Sequence, residues 1–459
     1  MKTLVRLLIL LLLVEVLLVA CIGGTPTIGT PNEKQSQPQE TDQVDLKITG
    51  SEEPSQSKKE HPSGENFVEI FSWWTAGGEL KSLNALTGVF EAQYPDVEVF
   101  NGAAAVDNDK DPRVELAARM QEGDPPDSFQ VRAGRRLTDS WVAVGFMEPV
   151  TLLFKQNDWV GVYPSSMIDL LSYDGEIWSV PVNVQRSNVL WYNKEIFDKY
   201  TLEPPASLDD FFSTAEKLQE QGIPPLTIAG KDQWALTYLF ENVLLATLGP
   251  EAYRGLWTGD TSWNSPQITK ALNDFARMLD YADGTRADLS WEQAAQQVAN
   301  GGAAMTIMVD WADAYFLSLG FVPGEEIGWA PSPGTGGSFM LFSDSFSLPT
   351  GALHRDNAMA WLTVVGSLEG QDSFNPSFGS IPSRTDSDRS LYSTYIRSAM
   401  DDYARDEIVP SVAHGTAASV GWVAAIGDVL LIFTQNSDVQ AAQQYLVQAC
   451  QGAGVCKTE

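Results

Sequence analysis

The sequence predicts an α/β protein folded as two lobes, and three observations lead there. From residue 67 onward, short β-branched or aromatic runs alternate with longer stretches of helical periodicity, the pattern of substantially parallel sheets covered by helices. Roughly 390 residues follow residue 66, more than one hydrophobic core normally organises. Extended, proline-marked segments near Pro181, Pro331 and Ile381-Pro382 give the chain several places to pass between lobes. These passages divide it into a first lobe of residues 67–180 and 332–382 and a second of 181–331 and 383–459.

Phe67 to Phe71 alternates as a strand. Leu80 to Tyr94 reads as an amphipathic helix, with Leu83, Leu86, Phe90 and Tyr94 at helical spacing and Pro95 as its stop. Val97 to Phe100 is a second strand, and Pro112 to Gln121 a second helix ended by Gly123 and the Pro125-Pro126 pair. This opening puts the loop Ser72 to Glu79 just past the carboxyl end of a strand, where open α/β sheets hold ligands. Ile177 to Asn183 is an extended crossing segment, and Val189 to Asn193 a strand. Helices then dominate, over Leu208 to Gln221, Trp234 to Leu248, Pro266 to Ala282 and Trp291 to Ala299. Ala304 to Val309 is a strand ending in Asp310-Trp311. Ile327 to Ala330, the Pro/Gly-rich Pro331 to Gly337 and Phe339 to Leu348 carry the chain back to the first lobe.

Ahead of the folded part lies an export leader. Lys2 and Arg6 precede an apolar run from Leu7 to Val14, and Leu17-Leu18-Val19-Ala20 sets a small residue before Cys21, as lipoprotein processing requires. Glu15 breaks the run, and a carboxylate in hydrocarbon argues against a stable membrane span. The reading is a signal peptide over residues 1–20, a lipidated Cys21 and a tether over 21–66. That tether is rich in Gly, Pro, Thr, Ser, Gln and Glu, and buries too little apolar surface to offset its ordering entropy. As a flexible coil it would hold its domain about 35–40 Å from the anchor. The protein is therefore expected outside the cell membrane, in the periplasm where a second membrane exists. Cys450 and Cys456 remain, and in that oxidising compartment they are expected to form a disulfide.

A formal charge of −31 makes nucleic acid or an anionic membrane surface an improbable partner. With 14 Trp, 13 Tyr and 20 Phe the chain is well supplied with rings, and Trp73, Trp74, Trp291 and Trp311, beside Asp310, flank the predicted crevice loops. A flat indole offers an apolar face to the C–H face of a pyranose, while carboxylates, amides and guanidinium groups take its hydroxyls. That pairing points to sugar. No phosphate-binding loop, zinc-protease helix, nucleophile elbow or dinucleotide fingerprint is present, and two cysteines without a nearby histidine make a zinc site improbable. Neither metal nor cofactor is expected. Glu79 and Asp344 could form a glycosidase pair, so a surface hydrolase stays open, as does a sugar-sensing receptor subunit.

Several segments carry a more specific signal: Phe71-Ser72-Trp73-Trp74, Gly123 to Val131 (GDPPDSFQV), Gly175 to Asn188 (GEIWSVPVNVQRSN), Trp329 to Thr335 (WAPSPGT), Ser343 to Phe346 (SDSF), Gly370-Gln371-Asp372 and Phe374-Asn375-Pro376. In this order and spacing, the run from Phe67 to about Phe433 resembles the extracytoplasmic sugar-binding proteins of ATP-binding-cassette importers, in particular their glucose/mannose-binding group. The resemblance implies a two-lobed periplasmic-binding-protein-like fold of type II that binds a monosaccharide as a monomer and delivers it to a membrane permease. It further implies that Trp74 and Glu79 line the cleft, Gln130 contributes an amide, Trp291 and Trp311 pack on the sugar ring, Asp344 accepts from hydroxyls, and His414 hydrogen-bonds from the C-terminal region. Arg132 and Gln185 stand where relatives often carry histidine, and Arg132 brings a permanent charge and a planar fork of donors. Trp73, Asn183, Arg186 and Asp310 are further cleft candidates whose alternative is packing or hinge hydrogen bonding.

Overall fold

The computed structural model describes residues 66–456 apart from 107–110, 232 and 283–287, together with residues 62 and 64. The leader, Cys21, the tether and His61 lie outside the described residues. The first strands are β1 (Phe67–Phe71), β2 (Glu98–Asn101), β3 (Ser128–Arg132), β4 (Met147–Glu148), β5 (Ser172–Tyr173), β6 (Glu176–Ile177) and β7 (Ser179–Pro181). They are followed by β8 (Gln185–Arg186), β9 (Val189–Asn193), β10 (Met305–Ile307), β11 (Ile327–Pro331), β12 (Ser338–Phe342), β13 (Asp344–Pro349) and β14 (Glu407–Pro410).

One six-stranded sheet has the order β2-β1-β3-β13-β4, with β7 also paired to β13. Only β2, β1 and β3 run parallel in it; β13 enters antiparallel to β3, β4 and β7. The expectation of substantially parallel sheets is corrected here, because a strand that returns from far along the chain need not enter in the direction a strand–helix–strand unit imposes. Beyond it lie two three-stranded sheets, β10-β9-β11 and β14-β12-β8. β12 pairs with β8 and β14, and β11 stays with β9 through Pro331.

The helix α1 (Gly77–Gln93) buries Leu80, Leu83, Leu86 and Phe90 along one stripe. Helix α2 (Pro112–Glu122) starts under an Asp111 cap with Pro112 in its first turn and stops at Gly123, whose φ of 78° suits a left-handed helix end. In the second lobe α3 (Gln233–Thr258) is the central helix, kinked at Gly249-Pro250. It buries Leu236, Leu239, Phe240 and Leu244 in a core shared with Phe275, Trp263 and Trp422. Next, α4 (Trp291–Ala299) is capped by Ser290 and Gln293 in a reciprocal box, and α5 (Ala312–Ser318) follows directly on Trp311. Late helices α6 (Thr394–Arg405), α7 (Val420–Asn436) and α8 (Val439–Gly452) complete the fold.

Three passages lie side by side where the lobes join. The Val182 amide donates to Asp344 O at 2.9 Å, and Val184 and Ile381 exchange backbone hydrogen bonds of 2.7 and 3.0 Å. Ser343 Oγ donates to Asn183 O at 2.6 Å, while Asn375 and Gln371 donate to Val182 O and Pro181 O at 2.9 Å each. These bonds satisfy the backbone of a short, buried strap, as burial demands.

Candidate cleft between the lobes

Asp344 is the hub. Its Oδ1 accepts from Gln130 Nε2 at 3.1 Å, and its Oδ2 from Gln185 Nε2 at 3.3 Å and Asn183 Nδ2 at 3.4 Å. Arg132 Nε stands 3.5 Å from Oδ1, and the strand register puts Arg132 directly opposite Asp344. Three amide groups donate to the two oxygens, and the Arg132 guanidinium stands beside them as an ion-pair partner without a hydrogen bond. In this form Asp344 holds the amides of Gln130, Gln185 and Asn183 in place beside Arg132. Gln130 is held from its other end as well, since its Oε1 accepts from Ser72 Oγ at 2.8 Å.

Glu79, in the first turn of α1, is exposed to solvent, with Asp344, Arg132 and Arg113 as its charged neighbours. Burial pushes its carboxyl up to about 7, Asp344 adds to the rise, and Arg132 and Arg113 oppose it.

Facing these groups is a box of rings. Trp311 has the rings of Trp234, Trp291, Phe342 and His414 around it at centroid distances of 5.8, 6.0, 6.0 and 5.8 Å. Tyr238 adds an edge contact to His414 at 5.0 Å, and the Arg132 guanidinium lies 5.3 Å from the Phe342 ring. Burial, followed by the charges of Arg132, Arg136 and Arg113, holds His414 well below its usual range, so it stays neutral, with one ring nitrogen to donate and one to accept. Five buried polar atoms here have no hydrogen-bond partner: Arg132 Nε, Gln185 Oε1, Tyr238 Oη, Trp311 Nε1 and His414 Nε2. Such atoms also occur in the packed core, at the indole nitrogens of Trp257, Trp263 and Trp361; these five are set apart by lying together around one aromatic box and Asp344.

The other candidates are engaged by protein groups of their own. Trp74 is 1% exposed and packs against Phe346, Phe374 and Phe378 at 6.0, 4.9 and 5.2 Å; this corrects its expected cleft position to core. Trp73 is half-buried under the Arg113 guanidinium. Arg186 is consumed by Asp402 at 2.6 Å, Asn188 at 3.1 Å and the Phe339 ring, and its amide donates to Asp310 Oδ2 at 2.8 Å. Burial holds the Asp310 carboxyl well above the usual carboxylate range. Asn183 ties the crossing strap to β13, its Oδ1 accepting from the Asp344 amide at 2.8 Å. Cys450 and Cys456 are bonded to each other with Cα atoms 5.3 Å apart. Among the described residues no cluster of His, Cys, Asp and Glu could hold a metal, and no helix is long and apolar enough to cross a membrane.

Sequence reasoning missed Trp234, Tyr238, Phe342, Arg136 and Glu241. Trp234 and Tyr238 stand four residues apart on one helix, a spacing that puts them on one face and could have been noticed. Glu241, fully buried on α3, receives Ser411 Oγ at 2.8 Å and the amides of Val412 and Ala413 at 2.6 and 3.2 Å, fixing the turn that carries His414. Only the fold brings it there. An open depression lined by Leu353 to Asn357 contains none of these groups.

Comparison with known proteins agrees with this architecture. The model of the bacterial extracellular solute-binding protein family matches residues 67–372. An uncharacterized ABC transporter extracellular-binding protein of Pyrococcus horikoshii is 32% identical, over 95% of this chain and 93% of its own. A "probable sugar-binding periplasmic protein" of Mesorhizobium japonicum is 31% identical, over 71% of this chain and 78% of its own. The bacterial solute receptor AcbH shares the fold at a TM-score of 0.74 and 17% identity, covering 85% of this chain and 99% of the receptor. The chain belongs to the bacterial extracellular solute-binding protein family.

Proposed function

We propose that the chain is a lipid-anchored binding subunit that captures a monosaccharide, an aldohexose such as glucose, outside the cell membrane and delivers it to an ATP-binding-cassette permease. The observation that carries this reading is the set of unpartnered buried atoms around the ring box: Tyr238 Oη, Trp311 Nε1, His414 Nε2, Gln185 Oε1 and Arg132 Nε. Indole faces suit the C–H faces of a pyranose, and the unpartnered donors and acceptors suit its hydroxyls. Names among the relatives support it: one is called sugar-binding, and the receptor of similar fold is described as preferring β-D-galactopyranose. Membership of the glucose/mannose-binding group rests on the motif resemblance. A sugar touching both lobes stabilises the closed form by its differential affinity, and the closed form is what the permease reads. No bond is broken and no cofactor takes part. Hydrolysis loses support because Asp344 already accepts from the amides of Gln130, Gln185 and Asn183 and faces the charge of Arg132, unlike the freely placed second carboxylate a glycosidase pair needs.

A thermal-shift panel of monosaccharides and disaccharides, followed by calorimetric titration, tests the reading. One hexose at a thousandfold excess over its Kd should raise the apparent stability by about 4 kcal/mol, with no turnover of aryl glycosides. A panel in which no sugar shifts the melting point sinks it.

A further inference from the structure

Arg136 is the one guanidinium at this cleft whose side chain has neither an ion pair nor a hydrogen bond among the described residues. Arg132 is engaged by Asp344 at 3.5 Å, and Arg113 by Asp111 at 3.0 Å. Arg136 follows β3, and its backbone amide donates to Gly415 O at 2.9 Å, directly after His414. Its stem packs so closely on Gly415 that a Cβ at that glycine would lie 3.2 Å from the Arg136 Cβ. Gly134 is clamped likewise against the Thr416 backbone, so the turn bearing Arg136 is fixed against the loop bearing His414.

The surroundings are electrostatically unusual for so acidic a chain, which has 60 acidic and 29 basic residues. Burial, and then the neighbouring charges of Arg132 and Arg113, lower the Arg136 guanidinium to about 10; Asp111 and Asp344 act in the opposite direction. Those two carboxylates already face Arg113 and Arg132. Arg136 thus stands beside Arg132 and Arg113 with no ion pair of its own among the described residues, its stem against the glycine that follows His414.

We infer that the preferred ligand is an acidic monosaccharide, a hexuronate, with its carboxylate held by Arg136 beside Arg132 and its ring in the box formed by Trp311, Phe342 and His414. The inference rests on the sugar-binding reading and narrows it. A planar guanidinium matches a carboxylate through two parallel N–H bonds, a geometry that a neutral hydroxymethyl group at the same ring position does not use.

Calorimetric titration of the full chain with D-glucuronate, D-galacturonate, D-glucose and D-galactose decides the matter. The better uronate should bind about tenfold or more tightly than its neutral counterpart, and the advantage should shrink as salt is raised. In Arg136→Gln the ratio of uronate to neutral-sugar affinity should fall about tenfold, while Arg136→Lys keeps part of it. Equal or weaker binding of the uronates, or an Arg136→Gln variant with an unchanged ratio, overturns the acidic-sugar inference and leaves sugar binding standing. Failure of all four sugars overturns both.

Discussion

At the scale of single residues, the two tryptophans expected in one cleft do different work. Trp311 lines the ring box with an unpartnered indole N–H, so Trp311→Ala should cost about 2 kcal/mol of sugar affinity, about thirtyfold, with little change in the apo melting point. Trp74 lies in the core, so Trp74→Ala should cost about 3–5 kcal/mol of stability through the cavity it leaves. Paired melting curves and titrations check both; equal stability losses would place Trp311 in the core too. Glu79 sets a pH dependence. Its carboxyl sits near 7 with Asp344, Arg132 and Arg113 facing it, and His414 neutral nearby. A hydroxyl donor binds the ionised form better, so affinity for a neutral sugar should rise between about pH 6 and pH 8, whereas an acidic sugar should show the opposite slope. Titrations across that range with Glu79→Gln as control should lose both slopes.

At the scale of elements, the turn Ser411–Ala413 is held by one buried carboxylate on α3. Burial raises Glu241 to about 7 against its hydrogen bonds. Between the unfolded value of about 4.5 and the folded value of about 7, the native state holds a proton that the unfolded chain releases, so stability falls as pH rises through that window. The loss from this group is on the order of 3 kcal/mol. Glu241→Gln, which resembles the protonated acid, should flatten the dependence in denaturant melts between those pH values. Glu241→Ala should instead loosen the turn and weaken sugar binding through His414; intact affinity would show that the turn holds itself. At the chain's end, Cys450 in the last turn of α8 is joined to Cys456, and the intervening Val455 carbonyl lies against Gly259. Closing so short a loop contributes about 2 kcal/mol in the chain-entropy model, so reduction should lower the melting point slightly. Two free thiols in protein purified without reductant would contradict the bridge.

At the scale of the whole molecule, the three adjacent passages at 182–184, 343 and 381 permit a hinge and resist independent movement of the lobes. Saturating sugar should reduce the radius of gyration in solution scattering, and identical profiles with and without ligand would argue for a rigid preformed cleft. The hub at Asp344 belongs to this scale as well. It joins β3 of the first lobe to the crossing strap, so Asp344→Asn should weaken sugar binding and alter closure together. Attachment to the membrane is expected to depend on Cys21, and Cys21→Ser should move the protein from the membrane fraction to the soluble one.

The sequence by itself determined the order and type of most elements, because periodicity, Pro stops and Ser or Asp caps act over a few residues: β1, α1, α2, β9 and α4 lie where the pattern puts them. It also named Glu79, Arg132, Trp311, Asp344 and His414, which the fold gathers from β3, β13 and the ends of α1, α5 and β14. What only the tertiary structure decided depends on partners distant in the chain. β13 pairs antiparallel with β3 across more than two hundred residues, a direction no local pattern encodes. The burial of Trp74 follows from Phe346, Phe374 and Phe378 closing over it, and the hydrogen bonding of Asp344 follows from three amides converging on it from other segments. Composition announces such residues as candidates; whether a polar atom is satisfied or left for a ligand is settled only when every neighbour is in place.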